Sequence, residues 1–325
     1  MPNLETNYLG LKLKNPIVVS SSGLTASVPK IVEMEKNGAG AVVLKSLFEE
    51  QILHDAGRLE VTSDYPEASD YIRSYTKSNS VGEYLTLIKE AKLNVSIPII
   101  ASINCVSSSD WVDFAKKIEA AGADALEVNV FFLPTDNNKP ASFYENTYLE
   151  LAEKLRGAVK LPIAFKLGNH FTNVLWIIRE LYFRKINGVV LFNRFYEPDI
   201  DINKMKMVSS EVFSHASDIR TSLRWVALSS NKVPNMSIAA STGIQTGEAV
   251  IKMLLAGASA TQVCSSIYKG GPAVIAKMVE ALDSWMATNH YKTIEDFRGK
   301  LSYSKIPDPA AYERSQFMRY FSSME

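Results

Sequence analysis

The sequence has few cysteines, no surplus of either charge and no long apolar run. Its two cysteines, Cys105 and Cys264, are too few for a four-ligand zinc site or a disulfide framework, which suits a reducing compartment. Lysine plus arginine equals aspartate plus glutamate at 35 each. That balance gives no general electrostatic case for binding nucleic acid or an anionic membrane surface. No run reaches the roughly 18 apolar residues of a membrane span, and the start MPNLETNYLGLKLKNP lacks an apolar signal core. The expectation is a cytoplasmic protein that meets a small-molecule substrate, with no nucleic acid, no membrane and no metal.

What is present is alternation. Short apolar segments that begin near Ile17, Gly40, Pro98, Ala125, Pro162, Gly188, Met236 and Ser259 are interleaved with amphipathic helical stretches. Short, apolar, unalternating strands between helices indicate a parallel sheet covered on both faces. Eight such units with no polar linker favour a closed (β/α)8 TIM barrel over an open sheet. The barrel is expected over residues 1–301, with 302–325 as an extension that packs on the barrel or on a partner.

Three excursions interrupt the alternation. Residues 48–79 read as an irregular span, 131–140 as a loop, and 193–233 as a long excursion with a helix near Asp218–Leu228. Connections this long in compact domains usually carry function.

In a barrel of this kind the chemistry sits at the C-terminal ends of the strands. Those ends carry Ser22-Gly23, Lys45-Ser46, Asn104-Cys105, Asn129, Lys166, Asn193, Thr242-Gly243 and Cys264-Ser265. The last two turns are rich in Gly, Ser and Thr. Consecutive strand–turn–helix units can aim backbone N–H groups at one anion, and the loops after strands 7 and 8 commonly hold phosphate. Lys45 and Lys166 stand out because an unpartnered buried ammonium is costly. Each is read either as a cation that stabilises charge on a bound cofactor or as a snorkelling or ion-paired side chain, with Glu127 a candidate partner.

The order and spacing of KNPIVVSSSG, VLKS, ALEVN, FKL and ASTGIQTGEAVIKMLLAGASATQVCSSIYKGGPAV, with the tail YKTIEDFRGKL (Tyr291–Leu301) in the place of the family's closing helix, resemble the FMN-dependent dihydroorotate dehydrogenases, particularly the soluble class. The resemblance implies FMN over the barrel mouth and oxidation of dihydroorotate to orotate in pyrimidine biosynthesis, with hydride passing to flavin N5. It implies Ser21, Ser22 and Gly23 along the isoalloxazine, and Lys45 and Ser46 against flavin and substrate. Lys166 would lie by the pyrimidine edge of the flavin. Thr242, Gly243, Cys264 and Ser265 would hold the phosphate. Asn129 would serve cofactor and substrate, and Asn193 the substrate. A homodimer is expected, as is a soluble acceptor such as fumarate or NAD; an NAD-linked form would need an iron–sulfur partner subunit.

Departures cluster on the substrate side. In the family the loop after strand 4 reads Asn, an apolar residue, Ser, a Cys or Ser base, Pro and Asn. Here it is Asn129-Val130-Phe131-Phe132-Leu133-Pro134, so the base position falls on Phe132, which accepts no proton. SDYPEASDY, residues 63–71, replaces a substrate-binding run after strand 2. Arg194 stands where a small hydroxyl residue is expected, and FSHASD, residues 213–218, replaces a glycine-rich loop. His170 and Cys105 are the weak alternatives for a base. Two further readings follow: a divergent paralogue acting on another CH–CH or alkene substrate, or a barrel that binds without catalysis.

Overall fold

A computed structural model describes residues 2–48, 69–104, 108–130, 132–195 and 197–314. Glu49, Glu50, Tyr65, Cys105 and the residues after 314 lie outside these, as do the side chains of Tyr71 and Tyr75.

Eight parallel strands close a barrel: β1 (Ile17–Val19), β2 (Ala41–Val43), β3 (Ile99–Asn104), β4 (Ala125–Asn129), β5 (Ile163–Leu167), β6 (Gly188–Leu191), β7 (Ser237–Ser241) and β8 (Ala260–Val263). The ring closes because β8 pairs β1 (Gln262 with Val18) and β2 pairs β3 (Val42 with Ile99). The helices around it are α1 (Val28–Lys36), α2 (Ser69–Asn94), α3 (Ser108–Ala121), α4 (Ala141–Ala158), α5 (Val174–Phe183), α6 (Ile219–Lys232), α7 (Gly247–Ala256) and α8 (Ala273–Thr288). This is the (β/α)8 TIM barrel that the alternation predicts.

Side chains of a strand alternate between the two faces of the sheet, and the core divides accordingly. Ile17, Val19, Val42, Ile99, Leu126, Phe165 and Val189 face the helices. Val18, Val43, Ile100, Ala125, Ala164, Val190, Ala239 and Ala260 face the barrel axis. The inward set is mostly small, and the N-terminal hairpin (Thr6–Tyr8 with Leu11–Leu13) inserts Tyr8, Leu9 and Leu13 beneath it as a plug. A Cβ on Gly188 would lie 2.4 Å from Leu9 Cδ2, so β6 must begin with glycine where the plug enters.

Three elements differ from the sequence expectation. Helix α2 begins at Ser69, inside the span expected to be irregular. Among its described side chains, Val81, Tyr84, Ile88 and Ala91 are buried, an apolar stripe along its second half. The excursion after β6 contains a β-hairpin, Pro198–Asp201 with Lys206–Ser209, exposed along nearly its whole length. Tyr291–Leu301, expected as a closing helix, is a 3-10 turn at Ile294–Asp296 fixed by a capping box between Thr293 and Asp296. Beyond it the chain packs back on the barrel: Tyr303 N–H donates to Ala227 O (3.1 Å).

Candidate functional site

One step along the inward-facing rows, toward the C-terminal ends, the apolar layer gives way to a polar one. Val18, Ile100, Ala125, Ala164, Ala239 and Ala260 are followed two residues on by Ser20, Ser102, Glu127, Lys166, Ser241 and Gln262. All six are buried. The period of two that builds the core therefore also builds the floor of a site.

Lys166 occupies the middle of this floor. Its Nζ donates to Ser20 Oγ and to Gln262 Oε1, both at 3.0 Å. Glu127 Oε1 lies 3.7 Å from the same ammonium, and Gln262 Nε2 donates to Glu127 Oε2. Glu127 Oε1 accepts no hydrogen bond, so the lysine charge is its compensation. A buried pair of this kind costs desolvation and is held by the hydrogen bonds around it. Lys166 is thus the buried cation that the sequence suggests, with Glu127 beside it. Lys45 is exposed, so the expectation of two buried lysines holds for one.

A chain of hydroxyls borders the floor. Ser46 N–H donates to Ser21 Oγ (2.9 Å), the two hydroxyls are 3.1 Å apart, and Ser46 Oγ lies 2.7 Å from Ser102 Oγ. Tyr84 OH of α2 accepts from Ser102 N–H at 2.7 Å and donates to Ser102 O at 2.9 Å. Burial pushes the Tyr84 hydroxyl well above its ordinary pKa, the Ser102 backbone contact opposes this, and the Glu127 charge adds to it.

On the far side the turns after β7 and β8 form a cradle. Thr242 and Gly243 are consecutive left-handed residues, at φ 74° and 78°. For a β-branched threonine this is a strained conformation, of a kind that clusters at functional sites. Thr242 Oγ1 donates to Phe192 O at 3.0 Å. Gly243 has no alternative: a Cβ there would sit 2.2 Å from the N-terminal Ile219 N of α6.

Ser214 ties the cradle together. Its backbone N–H and its hydroxyl donate to Ser265 Oγ (both 3.1 Å), its Oγ accepts from Gly243 N–H (3.3 Å), and its carbonyl accepts from Lys269 Nζ (3.0 Å). Sequence reasoning missed Ser214 and Gln262. A serine inside FSHASD carries no signal by itself, but the inward parity of Gln262 with Ala260 was readable. Cys264, between floor and cradle, is half-buried; desolvation raises its thiol pKa, against a Ser22 hydrogen bond and the Lys166 charge. It is no ready nucleophile.

Floor and cradle bound one cleft of about 260 Å³, lined by Ser21, Lys166, Asn193, Thr242, Gly243, Cys264 and Ser265 among the sequence-predicted residues. Asn129 joins it through Asn193, whose Nδ2 donates to Asn129 Oδ1 at 2.7 Å. Ser46 joins it through Ser21. Ser22 and Gly23 are engaged locally: Ser22 Oγ accepts from Leu24 N–H (3.2 Å), and Gly23 O accepts from Lys30 Nζ (2.8 Å). An adjoining cavity of about 310 Å³ is shared across Phe192, Asn193, Arg194 and Thr242 and reaches Asn169, His170 and Phe195.

The residues flagged for proton transfer stand apart. Phe132 packs edge-on against Tyr148, ring centroids 5.8 Å apart. His170 is exposed and lies over Phe195 at 3.8 Å, and partial desolvation lowers its pKa. Arg194 is spent on structure, donating to Glu211 O (2.8 Å) and Glu197 Oε2 (3.2 Å). Among the described residues no group of His, Cys, Asp and Glu could hold a metal, and no helix is long and apolar enough to cross a membrane.

Comparison with known proteins follows the same lines. The family model described as dihydroorotate dehydrogenase matches residues 3–286. The chain is 27% identical over 310 residues to the catalytic subunit of dihydroorotate dehydrogenase B (NAD(+)) of Thermoplasma volcanium, covering 92% of this chain and 98% of that one. It is 26% identical over 306 residues to the protein of the same description from Methanocaldococcus jannaschii, covering 91% and 97%. Against dihydroorotate dehydrogenase A (fumarate) of Lactobacillus helveticus it is 27% identical over 321 residues, covering 94% and 100%.

Proposed function

The chain belongs to the dihydroorotate dehydrogenase family, and on that footing we propose that it is an FMN-dependent oxidoreductase acting on a CH–CH group. The observation that carries this reading is the buried Lys166, held by Ser20 and Gln262 at the floor of a cleft whose other end is the strained Thr242-Gly243 turn. A cofactor with an electron-accepting ring at one end and a phosphate at the other suits that pairing. The cradle is filled by backbone where Gly243 meets α6, and it presents hydroxyls and the N-terminal end of a fourteen-residue helix, a setting that favours an anion.

When bound, FMN would supply a hydride acceptor and a ring edge on which negative charge develops. Lys166 would stabilise that charge, because a fixed cation in a water-poor floor costs no reorganisation as charge builds. Glu127 and Gln262 would hold the ammonium in place. Ser214, Thr242, Gly243 and Ser265 would orient the phosphate. The Asn129–Asn193 pair would orient the substrate's polar groups: Asn129 Nδ2 and Asn193 Oδ1 carry no hydrogen bond to described residues.

Dihydroorotate is the first substrate to test, because the family points to it. A second reading is favoured by Phe132: the position of the expected base is a ring packed on Tyr148, so a substrate that gives up its proton on oxidation, or takes one up on reduction, through another group or solvent fits this loop better. Fumarate and NAD(+), which stand in the names of two relatives, are the acceptors to try. The words "catalytic subunit" in one of those names make a partner subunit worth seeking.

The deciding experiment is an anaerobic titration of the purified protein with dihydroorotate while visible flavin absorbance is followed. A yellow protein that bleaches supports both the cofactor and the substrate. A yellow protein that stays oxidised leaves the flavin reading and turns to another substrate. A colourless protein that also refuses added FMN overturns the oxidoreductase reading.

A further inference from the structure

A third cavity, of about 230 Å³, lies beside the other two, between the loop before α4 and the loop before α5. The rings of Phe132, Tyr144, Tyr148 and Phe171 form part of its wall, and the exposed Asp136 and Lys139 and the half-buried Glu145 also line it. Tyr148 meets Phe132 edge to face at 5.8 Å and Phe171 at 5.1 Å, and its hydroxyl points away to Val130 O at 3.4 Å. His170 lines this pocket and also the 310 Å³ cavity that opens onto Asn193 and Arg194. The three cavities therefore form a row, from the cradle past the asparagines to a pocket of rings. The replacement that puts a ring at the base position also supplies one of the walls.

We propose that the ring-walled pocket is the second half of the substrate site, and that it receives an aromatic or branched apolar substituent of a substrate whose polar head lies at Asn129 and Asn193. This deepens the CH–CH oxidoreductase reading and rests on its second form, a substrate other than dihydroorotate. Rings arranged edge to face complement another ring placed among them, and the acidic side chains of Asp136 and Glu145 in the same lining disfavour a second carboxylate more than a ring.

The test compares trans-cinnamate with fumarate, two alkenoic acids that differ by a phenyl group in place of one carboxylate. Binding is measured by calorimetry to both FMN-loaded and FMN-free protein. Cinnamate should bind at least tenfold more tightly than fumarate. Phe132→Ala should weaken cinnamate at least tenfold by removing a wall. Ala141→Trp should do the same by filling the pocket, from an exposed position at the start of α4; circular dichroism checks that both variants fold. Equal affinities, no cinnamate binding, or folded variants that bind cinnamate as the wild type does would each overturn the proposal. Flavin uptake is followed separately by visible absorbance. A chain that binds cinnamate as expected but takes up no FMN fails the flavin reading and not this one.

Discussion

The two halves of the barrel mouth are built on different principles. On the side of β1, β7 and β8, buried polar groups form a network completed by Glu127 of β4, Lys166 of β5 and Ser214 of the segment before α6: Lys166, Glu127, Gln262 and Ser20 below, Ser214, Gly243 and Ser265 beside them. On the side of β4, β5 and β6, loops carry rings and solvent-exposed charges, with Phe132, Phe171, His170 and Phe195 as the chemistry. In the first half most of these polar atoms are held by neighbours on other strands, and Glu127 Oε1 is compensated by the Lys166 charge alone, so one change leaves several groups unsatisfied. In the second, side chains meet through ring contacts that tolerate exchange. A barrel can thus keep one end of its site while the other end is rebuilt.

The comparison is broken most severely at Gly243. Gly243→Val puts a branched side chain where the α6 backbone stands 2.2 Å from a bare Cβ. The expected cost is more than about 4 kcal/mol, a size point changes reach only through a mechanism of this sort, and flavin retention should be lost with it. Chemical denaturation of the variant and its absorbance after purification measure both; near-wild-type stability would mean that the cradle yields.

Lys166→Met should cost about 3–5 kcal/mol, because Glu127 is left buried without its counter-charge. Adding Glu127→Gln to that variant should recover part of the loss. If the double variant is no more stable than the single one, the pair is not the coupled unit described above. On the looser side, Phe132→Cys should fold normally and leave dihydroorotate turnover at the wild-type level, because the rings of Tyr148 and Phe171 beside it do not favour a thiolate. A tenfold rise would show that only the base is missing.

The smallest effect is that of His170. Its pKa in the folded protein is lowered from 6.5 by desolvation, so below about that pH the unfolded chain binds the proton more readily than the folded one. Stability should rise with pH through the window just below 6.5 and level off above it. His170→Asn should flatten that rise in the melting temperature, and an identical profile in the variant would assign it to other groups.

The fold was legible because its signals are local. Apolar runs of four to six residues between amphipathic stretches, with small residues at the turns, specify strand–helix units, and eight of them close a barrel. The exceptions share a cause. The first half of α2, SDYIRSYTKSNS, is mostly polar in sequence, and the hairpin at 198–209 buries too little to mark itself by burial. The site was legible in part. Lys166, Asn129, Asn193, Thr242, Gly243 and Ser265 are signalled by type and by position at strand ends.

By itself the sequence determined the alternation, the strand ends and the residue types that meet there, since these depend on neighbours a few positions apart. The tertiary structure decided which polar groups share a floor. Ser20, Glu127, Lys166 and Gln262 come from four strands spread over most of the chain, and only barrel closure and the common inward face bring them within hydrogen-bond reach. It also decided that Lys45 faces solvent while Lys166 does not, and that Ser214 is the hub of the cradle. Burial and partnership are set by the side chains a closed sheet packs around each position, and those neighbours are far away in sequence.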